Sequence, residues 1–462
     1  MTNRFTRHSY FYYSICLLLL ALMPFTASAQ ASGEPVREQL LNGLTVLFSQ
    51  RAGDPNVLLK LRVRSGAAFD LAGKGGTMAV LGDILFSDPA TREYVTDQLG
   101  GRLEVTTDYD GINITISGKA SELERIVDLL RIALITPQLT VENVARVRDA
   151  RVKQLSDKPL SAAEIADQAI AARLFGNFPY GHPASGTAET VSKVDRADLL
   201  SARDRFLYAD NSTIVVIGGI EQTRLRRTLR QLLGPWQKSD RMVPATFRQP
   251  TGPDTKVLLV NEPGATSAEI RLAVRGLARS DRDADAASIL AQITRERWQA
   301  ASTNLSAAFV RHEAHVLPGS FVLGASVPTA SAAMAVTAAQ QTIRSLAQNG
   351  PTLAELDLAR SVMVADISRQ VSQPESIAAL WLDLDTFKLA PLNTQTRALQ
   401  NLTVQDVQRV AARLFKDDSP AKIVVGDAEQ LKTSFVGSVE MRREKPDLKP
   451  TADPATPAKK PR

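Results

Sequence analysis

At 462 residues, 44% hydrophobic and 23% charged, the chain is long enough for two ordinary cores and has a globular composition rather than a fibrous one. Its formal charge of +6 is a mild excess spread over many positions, a solvated surface with a basic tail, which excludes a dedicated nucleic-acid stripe. A single cysteine and four histidines exclude a disulfide framework and leave few soft metal ligands.

The N-terminus reads as a secretory signal. Arg4, Arg7 and His8 precede an apolar run from Ile15 to Met23, and Pro24 and Ala27-Ser28-Ala29 follow it. A basic start, a short apolar stretch and a small-x-small site predict cleavage after Ala29, so residues 1–29 are assigned as signal peptide. The run is short for a spanning helix, which needs about 20 apolar residues; an uncleaved N-terminal anchor is the alternative. Cys16 lies inside this segment, so the mature chain is expected to carry no thiol. The expected location is periplasmic or secreted.

Beyond it, the same plan is written twice. Leu44 to Phe48 and Val57 to Val63 read as strands, and so do Lys256 to Val260 and Ile270 to Val274. The first half closes on Asn211 to Gly219, the second on Ala421 to Asp427, and the offset between equivalents is about 210 residues. Leu103 to Ser117 predicts a strand pair turning at Asp110-Gly111. Ser121-x-x-Glu124 and Thr352-x-x-Glu355 each fit a capping box, in which hydroxyl and carboxylate satisfy free backbone N–H groups. Strands in groups with long helices between them give an α+β fold, a mixed or antiparallel sheet covered by helices on one face. The expected organisation is a first domain over 35–235, a linker over 236–254, a second domain over 255–440 and a disordered tail over 445–462, rich in Pro, Lys, Asp and Ala.

Several segments together resemble the insulinase/pitrilysin metallopeptidases, including the mitochondrial processing-peptidase and cytochrome bc1 core subunits. Asn42 to Val46 is similar to that family's opening strand, and Val63 to Gly66 to its second strand and turn. Phe178-Pro-Tyr-Gly-His-Pro183 with Gly186-Thr187, and Phe206 to Gly219, are similar to two later segments. Leu402 to Val407 and Val424 to Asp427 match more loosely in the second half. The resemblance covers residues 35–435 and implies two tandem domains of one fold.

In that family a His-x-x-Glu-His helix follows the second strand. Histidines four apart share a helix face and bind zinc, while the glutamate takes a proton from metal-bound water. The corresponding segment here is Gly76 to Phe86, whose apolar frame matches. Ala79 and Asp83 stand at the histidine positions and Gly82 at the glutamate position. Alanine offers no donor and glycine no base. The region of the third, glutamate ligand falls near Ala150 and Arg151, with Asp149 on another face. No zinc, no other cofactor and no catalytic residue are therefore expected.

Other candidates are weaker. His182 sits in a loop that the resemblance implies is structural. His312 and His315 are three apart in a strand-like stretch, where such positions point to opposite faces, so they read as exposed polar residues rather than metal ligands. No nucleophile turn of the G-x-S-x-G kind is present. Arg295, Arg297 and Trp298, with Phe309 after them, occupy the stretch where active relatives hold substrate, without the family's pattern. Glu104 replaces an asparagine on the strand that pairs with peptide, leaving substrate-binding residues unassigned. Trp298 and Trp381 read as core or interface.

The resemblance implies a non-catalytic, exported subunit that binds peptide or pairs with an active two-domain zinc peptidase to close its chamber. The alternatives are a homodimeric peptide-binding or scaffold protein, and a zinc-dependent endopeptidase with an altered site. No nucleic-acid partner and no membrane span after signal cleavage are expected.

Overall fold

The structure, a computed structural model, describes residues 34–239, 247, 252–416, 420–435 and 439–443. The expected signal peptide with Cys16, the 445–462 tail and part of the 236–254 stretch lie outside the described residues.

The first half builds a six-stranded sheet from β1 (Val36–Gln39), β2 (Thr45–Gln50), β3 (Asn56–Val63), β4 (Leu103–Thr107), β5 (Ile112–Lys119) and β6 (Ser212–Gly218), in the order β1-β2-β6-β3-β5-β4. Only β2 and β6 run parallel. The second sheet uses β7 (Val257–Asn261), β8 (Ser267–Arg275), β9 (Ser306–Glu313), β10 (Ser320–Pro328), β11 (Ala421–Gly426) and β12 (Val439–Arg443), in the order β12-β7-β11-β8-β10-β9. Five strands correspond one to one between the halves. The sixth does not: β1 precedes its sheet and lies antiparallel to β2, whereas β12 follows its sheet and lies parallel to β7.

Alternation along the strands explains the layers, because successive side chains point to opposite faces. In the first sheet Val57, Leu59, Leu61, Ile214 and Val216 face a large core shared with that half's own helices. These include α1 (Thr77–Leu85) and α2 (Val141–Asp157). The other face carries Leu47, Leu58, Val215 and Ile217, buried under Ile377, Ala378, Trp381 and Leu382. Those four belong to a helix of the second half.

The converse holds for the second sheet. Its inner residues Leu259, Ile270, Leu272 and Leu323 pack on their own helices, including α4 (Ala284–Ala301). Leu258, Val260, Ile423 and Val425 on the opposite face lie under Ala166, Ala169, Ile170 and Leu174 of α3 (Ala162–Phe175), which comes from the first half. Its partner in the exchange is α6 (Pro374–Thr386), which follows α5 (Leu353–Ser372). Each side chain so covered is worth roughly 1.5–3 kcal/mol. The expected single covered face is thus corrected to two, because each half lends a helix to the other's sheet. The sheets follow the division at 236–254 while two helices cross it, and contacts join the residues from Pro35 onward into one unit.

Local sequence places α3 and α6. Ser161 and Glu164 form a reciprocal cap at the start of α3, and Pro374 opens α6 at a position that needs no N–H. Thr352 and Glu355 form the expected box on α5. Ser121 and Glu124 do not: a short turn over Ala120–Glu122 delays the helix to Leu123, and Glu124 instead takes two N–H donors from Arg224. Among the described residues, no helix is long and apolar enough to cross a membrane.

Candidate functional site

The helix α1 is present as expected, and its start is held from outside. Asp70 accepts hydrogen bonds from the backbone N–H groups of Gly76 (2.6 Å) and Met78 (2.8 Å). Burial pushes the Asp70 carboxyl up to about 7, against the lowering effect of those donors and of Arg151 nearby. Gly76 caps the helix with φ +92°, and a Cβ there would come within 2.7 Å of Val191 and 2.9 Å of the Ser185 carbonyl. Only glycine satisfies both that backbone and that contact.

The degenerate positions lie where the metal motif would, along one face of α1. Ala79 is fully buried and contributes a methyl group. At Gly82 a Cβ would meet the Thr107 hydroxyl at 2.8 Å, so β4 occupies the space that an acidic side chain at this position would need. Asp83 reaches across to α2 and pairs with Arg151: Nη1 donates to Oδ2 at 2.7 Å, with side-chain exposures of 15% for Arg151 and 37% for Asp83. Arg151 Nε also donates to the Ser185 carbonyl at 3.1 Å. Asp149 points away, pairing with Arg148 on the exposed side.

The folding brings Asp83 and Arg151 together, as the placement of ligand helix and third-ligand helix implies. What joins them is an organic cation held by the protein itself. These residues do not fit a zinc ion: the one carboxylate present is engaged by a guanidinium, and Ala79 and Gly82 supply neither ligand nor base. Among the described residues no group of three His, Cys, Asp or Glu side chains could hold a metal ion.

The remaining candidates disperse. The His182 carbonyl accepts from the Tyr109 hydroxyl at 2.7 Å, a loop-packing role. His312 is not an exposed strand residue: its Nε2 accepts from the Leu277 N–H at 3.1 Å, and burial pushes its imidazole down to about 4. His315 is also drawn in, with Nδ1 2.8 Å from Asp110 and its ring against Tyr109 and Tyr180. The causes differ: His312 on β9 is covered by the segment after β8 in its own half, around Gly276 and Leu277, whereas the turn after β9 carries His315 onto the β4–β5 turn of the other half. Arg295 lies on α4 with Nε buried and unbonded, whereas Arg297 pairs with Glu355. Trp298 is core, its Nε1 donating to the Ala335 carbonyl, and Trp381 lies between α6 and the first sheet. Phe309 sits on β9 with the guanidinium carbons of Arg311 and Arg271 4.0 and 5.1 Å from its ring centre.

Two α+β halves with matched strand orders, and a helix whose Ala79, Gly82 and Asp83 offer no zinc ligand set, define a two-domain fold. Comparison with known proteins agrees. Residues 193–363 match the family model "Peptidase M16 inactive domain", a stretch that begins in the first half and ends in the second. The chain is 24% identical over 211 residues to an uncharacterized zinc protease of Mycobacterium leprae, covering 45% of this chain and 47% of the relative. It is 22% identical over 227 residues to human cytochrome b-c1 complex subunit 1, covering 48% of this chain and 47% of that subunit. The matched segments thus span about half the length of these relatives. A crystal structure of a peptidase M16 inactive domain from Pseudomonas fluorescens superposes with a TM-score of 0.75 at 18% identity, over 85% of this chain and 98% of that one, which shows a shared fold. The chain is thus similar over residues 193–363 to the inactive domain of the M16, or insulinase-like, peptidases, and shares its fold with solved members of that group.

Proposed function

We propose that the chain is an exported, non-catalytic subunit that pairs with an active zinc peptidase of its own family and completes that enzyme's peptide-binding chamber. The observation that carries this reading is the Asp83–Arg151 ion pair beside Ala79 and Gly82. It keeps α1 and α2 bridged while removing ligand and base, so the architecture survives without the chemistry. The kinship with a subunit of the cytochrome b-c1 complex supports a role in assembly. Among the described residues β4 has no strand on its outer side, and such an edge can add an extended peptide through main-chain hydrogen bonds, with no metal needed. The N-terminal segment supports export, with cleavage after Ala29.

The test is co-purification of the chain with a zinc-containing two-domain homologue from the same cells, followed by peptidase assays of each chain alone and of the two together. Activity only with the homologue, enhanced by this chain, supports the reading. Stoichiometric zinc in the isolated chain, with chelator-sensitive peptide cleavage, would sink it. A stable dimer of this chain alone, with no effect on any peptidase, would favour a homodimeric scaffold instead. N-terminal sequencing of the mature protein tests the signal: a start at Gln30 supports export, and a retained Met1 favours an anchor.

A further inference from the structure

The inner edge of β4 fixes which backbone groups its outer edge offers. In an antiparallel pair, residues that exchange bonds with the neighbour alternate with residues whose N–H and C=O point away from it. Just before β4 the Ser117 N–H donates to the Arg102 carbonyl at 3.0 Å, and just after it the Asp108 N–H donates to the Gly111 carbonyl at 3.0 Å. Both bonds continue the β4–β5 register, so Glu104 and Thr106 bond toward β5. Leu103, Val105 and Thr107 therefore present their backbone groups outward.

One of those groups is already taken. Arg92 Nη1 donates to the Leu103 carbonyl at 2.7 Å. Arg92 belongs to the helix Pro89–Asp97, which Asp88 caps by accepting from the Ala90 N–H at 3.0 Å. Val95, three residues on and fully buried, pins the helix, and Gly100 with φ +66° turns the chain back into β4. Arg92 is thus laid alongside the strand that follows it. It is exposed, and among the described residues it has no ion-pair partner, so the carbonyl is what anchors it. Val105 and Thr107, by contrast, have no backbone partner on their outer side among the described residues.

We propose that Arg92 is a gate that sets how far an extended peptide can pair along this edge. The proposal rests on the reading of β4 as a peptide edge given above. With Arg92 in place, an antiparallel segment exchanges both bonds with Thr107 and with Val105 and stops there, because the guanidinium stands where its next N–H must approach. With Arg92 swung aside, Leu103 joins the pairing and the segment runs along the whole of β4. Charged side chains commonly guard sheet edges against association. A plain guard would cover the middle of the strand, whereas Arg92 holds its first residue and leaves the rest open. The gate is displaceable, since an exposed guanidinium that gives up one carbonyl returns to water.

The test adds the uncharged peptide Nα-acetyl-Ser-Thr-Val-Thr-Val-Thr-Ser-amide, at millimolar concentration, to the mature full-length chain and reads amide hydrogen exchange by NMR. The wild-type chain should show slowed exchange at Val105 and Thr107 but not at Leu103. Arg92→Ala, at an exposed position, should extend the slowing to Leu103 and tighten the peptide by about 3- to 10-fold, the worth of about one hydrogen bond. Arg92→Gln, neutral but still a donor, should fall between the two. Slowing at all three residues in the wild-type chain, or an unchanged Leu103 in Arg92→Ala, would overturn the gate and leave the edge a peptide site. No slowing at Val105 or Thr107 in either chain would instead remove the edge as a peptide site, and the gate with it.

Discussion

The two exchanged helices do the same architectural job with different chemistry. On the first sheet, α6 is fixed by charge as well as by packing. Asp385 is 2% exposed and accepts from Arg37 at 2.7 Å, from Arg64 at 3.1 Å and from the Thr213 hydroxyl, while Asp383 takes Arg62 at 2.7 Å. On the second sheet, α3 is held mainly by apolar side chains, with a half-exposed Asp167 reaching Arg271 at 2.5 Å. The contrast teaches that duplication conserved the crossing and not its fastening. Each crossing leaves a cleft beside it, one against Leu58 and Ile217 at the start of α6 and one against Ile170 and Leu174 of α3.

The comparison can be broken at its strongest point first. Asp385→Ala leaves Arg37, Arg64 and Thr213 turned toward an empty place, and removing one partner of a buried pair costs about 3–5 kcal/mol. Urea unfolding should show the midpoint fall accordingly. A change below about 1 kcal/mol would mean that the charges on α6 are ornamental. Next comes Ile170→Ala on α3, a truncation of a buried aliphatic side chain that should cost about 2–4 kcal/mol by the same measurement. Asp167→Ala on the same helix should cost only about 1 kcal/mol, because the carboxylate is half exposed and Glu269 still serves Arg271. If Asp167 proved as costly as Asp385, the two crossings would be alike in energetics as well as in form.

Arg151→Ala should also cost about 1 kcal/mol, since Asp83 is partly exposed and returns to water. Peptidase activity should stay absent; activity appearing in this variant would show that the guanidinium had been masking a working site.

The smallest effect concerns acid stability. Hydrogen bonding to Arg297, opposed by burial and helped by Thr352, lowers the Glu355 carboxyl from 4.5 to about 2. A carboxyl lowered on folding adds stability above its unfolded value and loses it as pH falls through the folded value. The contribution is therefore present above pH 4.5 and lost between there and about pH 2. Glu355→Gln should flatten that window and cost about 1 kcal/mol at pH 6, read from unfolding midpoints at pH 6 and pH 3. Equal losses at both pH values would point to a broken cap rather than a lost charge.

Most of the fold was readable because it rests on local pattern. Val57 to Val63 became β3, the Asp110-Gly111 turn joined β4 to β5, and the 210-residue offset reappeared as matched strand orders. The candidate site was readable in its losses, since Ala79, Gly82 and Asp83 can be placed on one helix from spacing alone. What was missed is long-range. The closure of Asp83 on Arg151 spans 68 residues and that of His315 on Asp110 spans 205. A uniformly buried strand such as β6, apolar on both sides, was the one signal that a second layer had to cover the sheet. It did not say which helix.

The exchange of helices also sets a clock. The first sheet is complete in sequence once Gly218 has been made, but its second face waits for α6, which begins at Pro374. At about 5–20 residues per second, synthesis takes roughly 8–30 s to cover that interval. For that time Leu47, Leu58, Val215 and Ile217 form an apolar surface with no cover of their own. A nascent chain of this design invites a holding chaperone during synthesis, and it becomes safe to release only once α6, through Thr386, has been made.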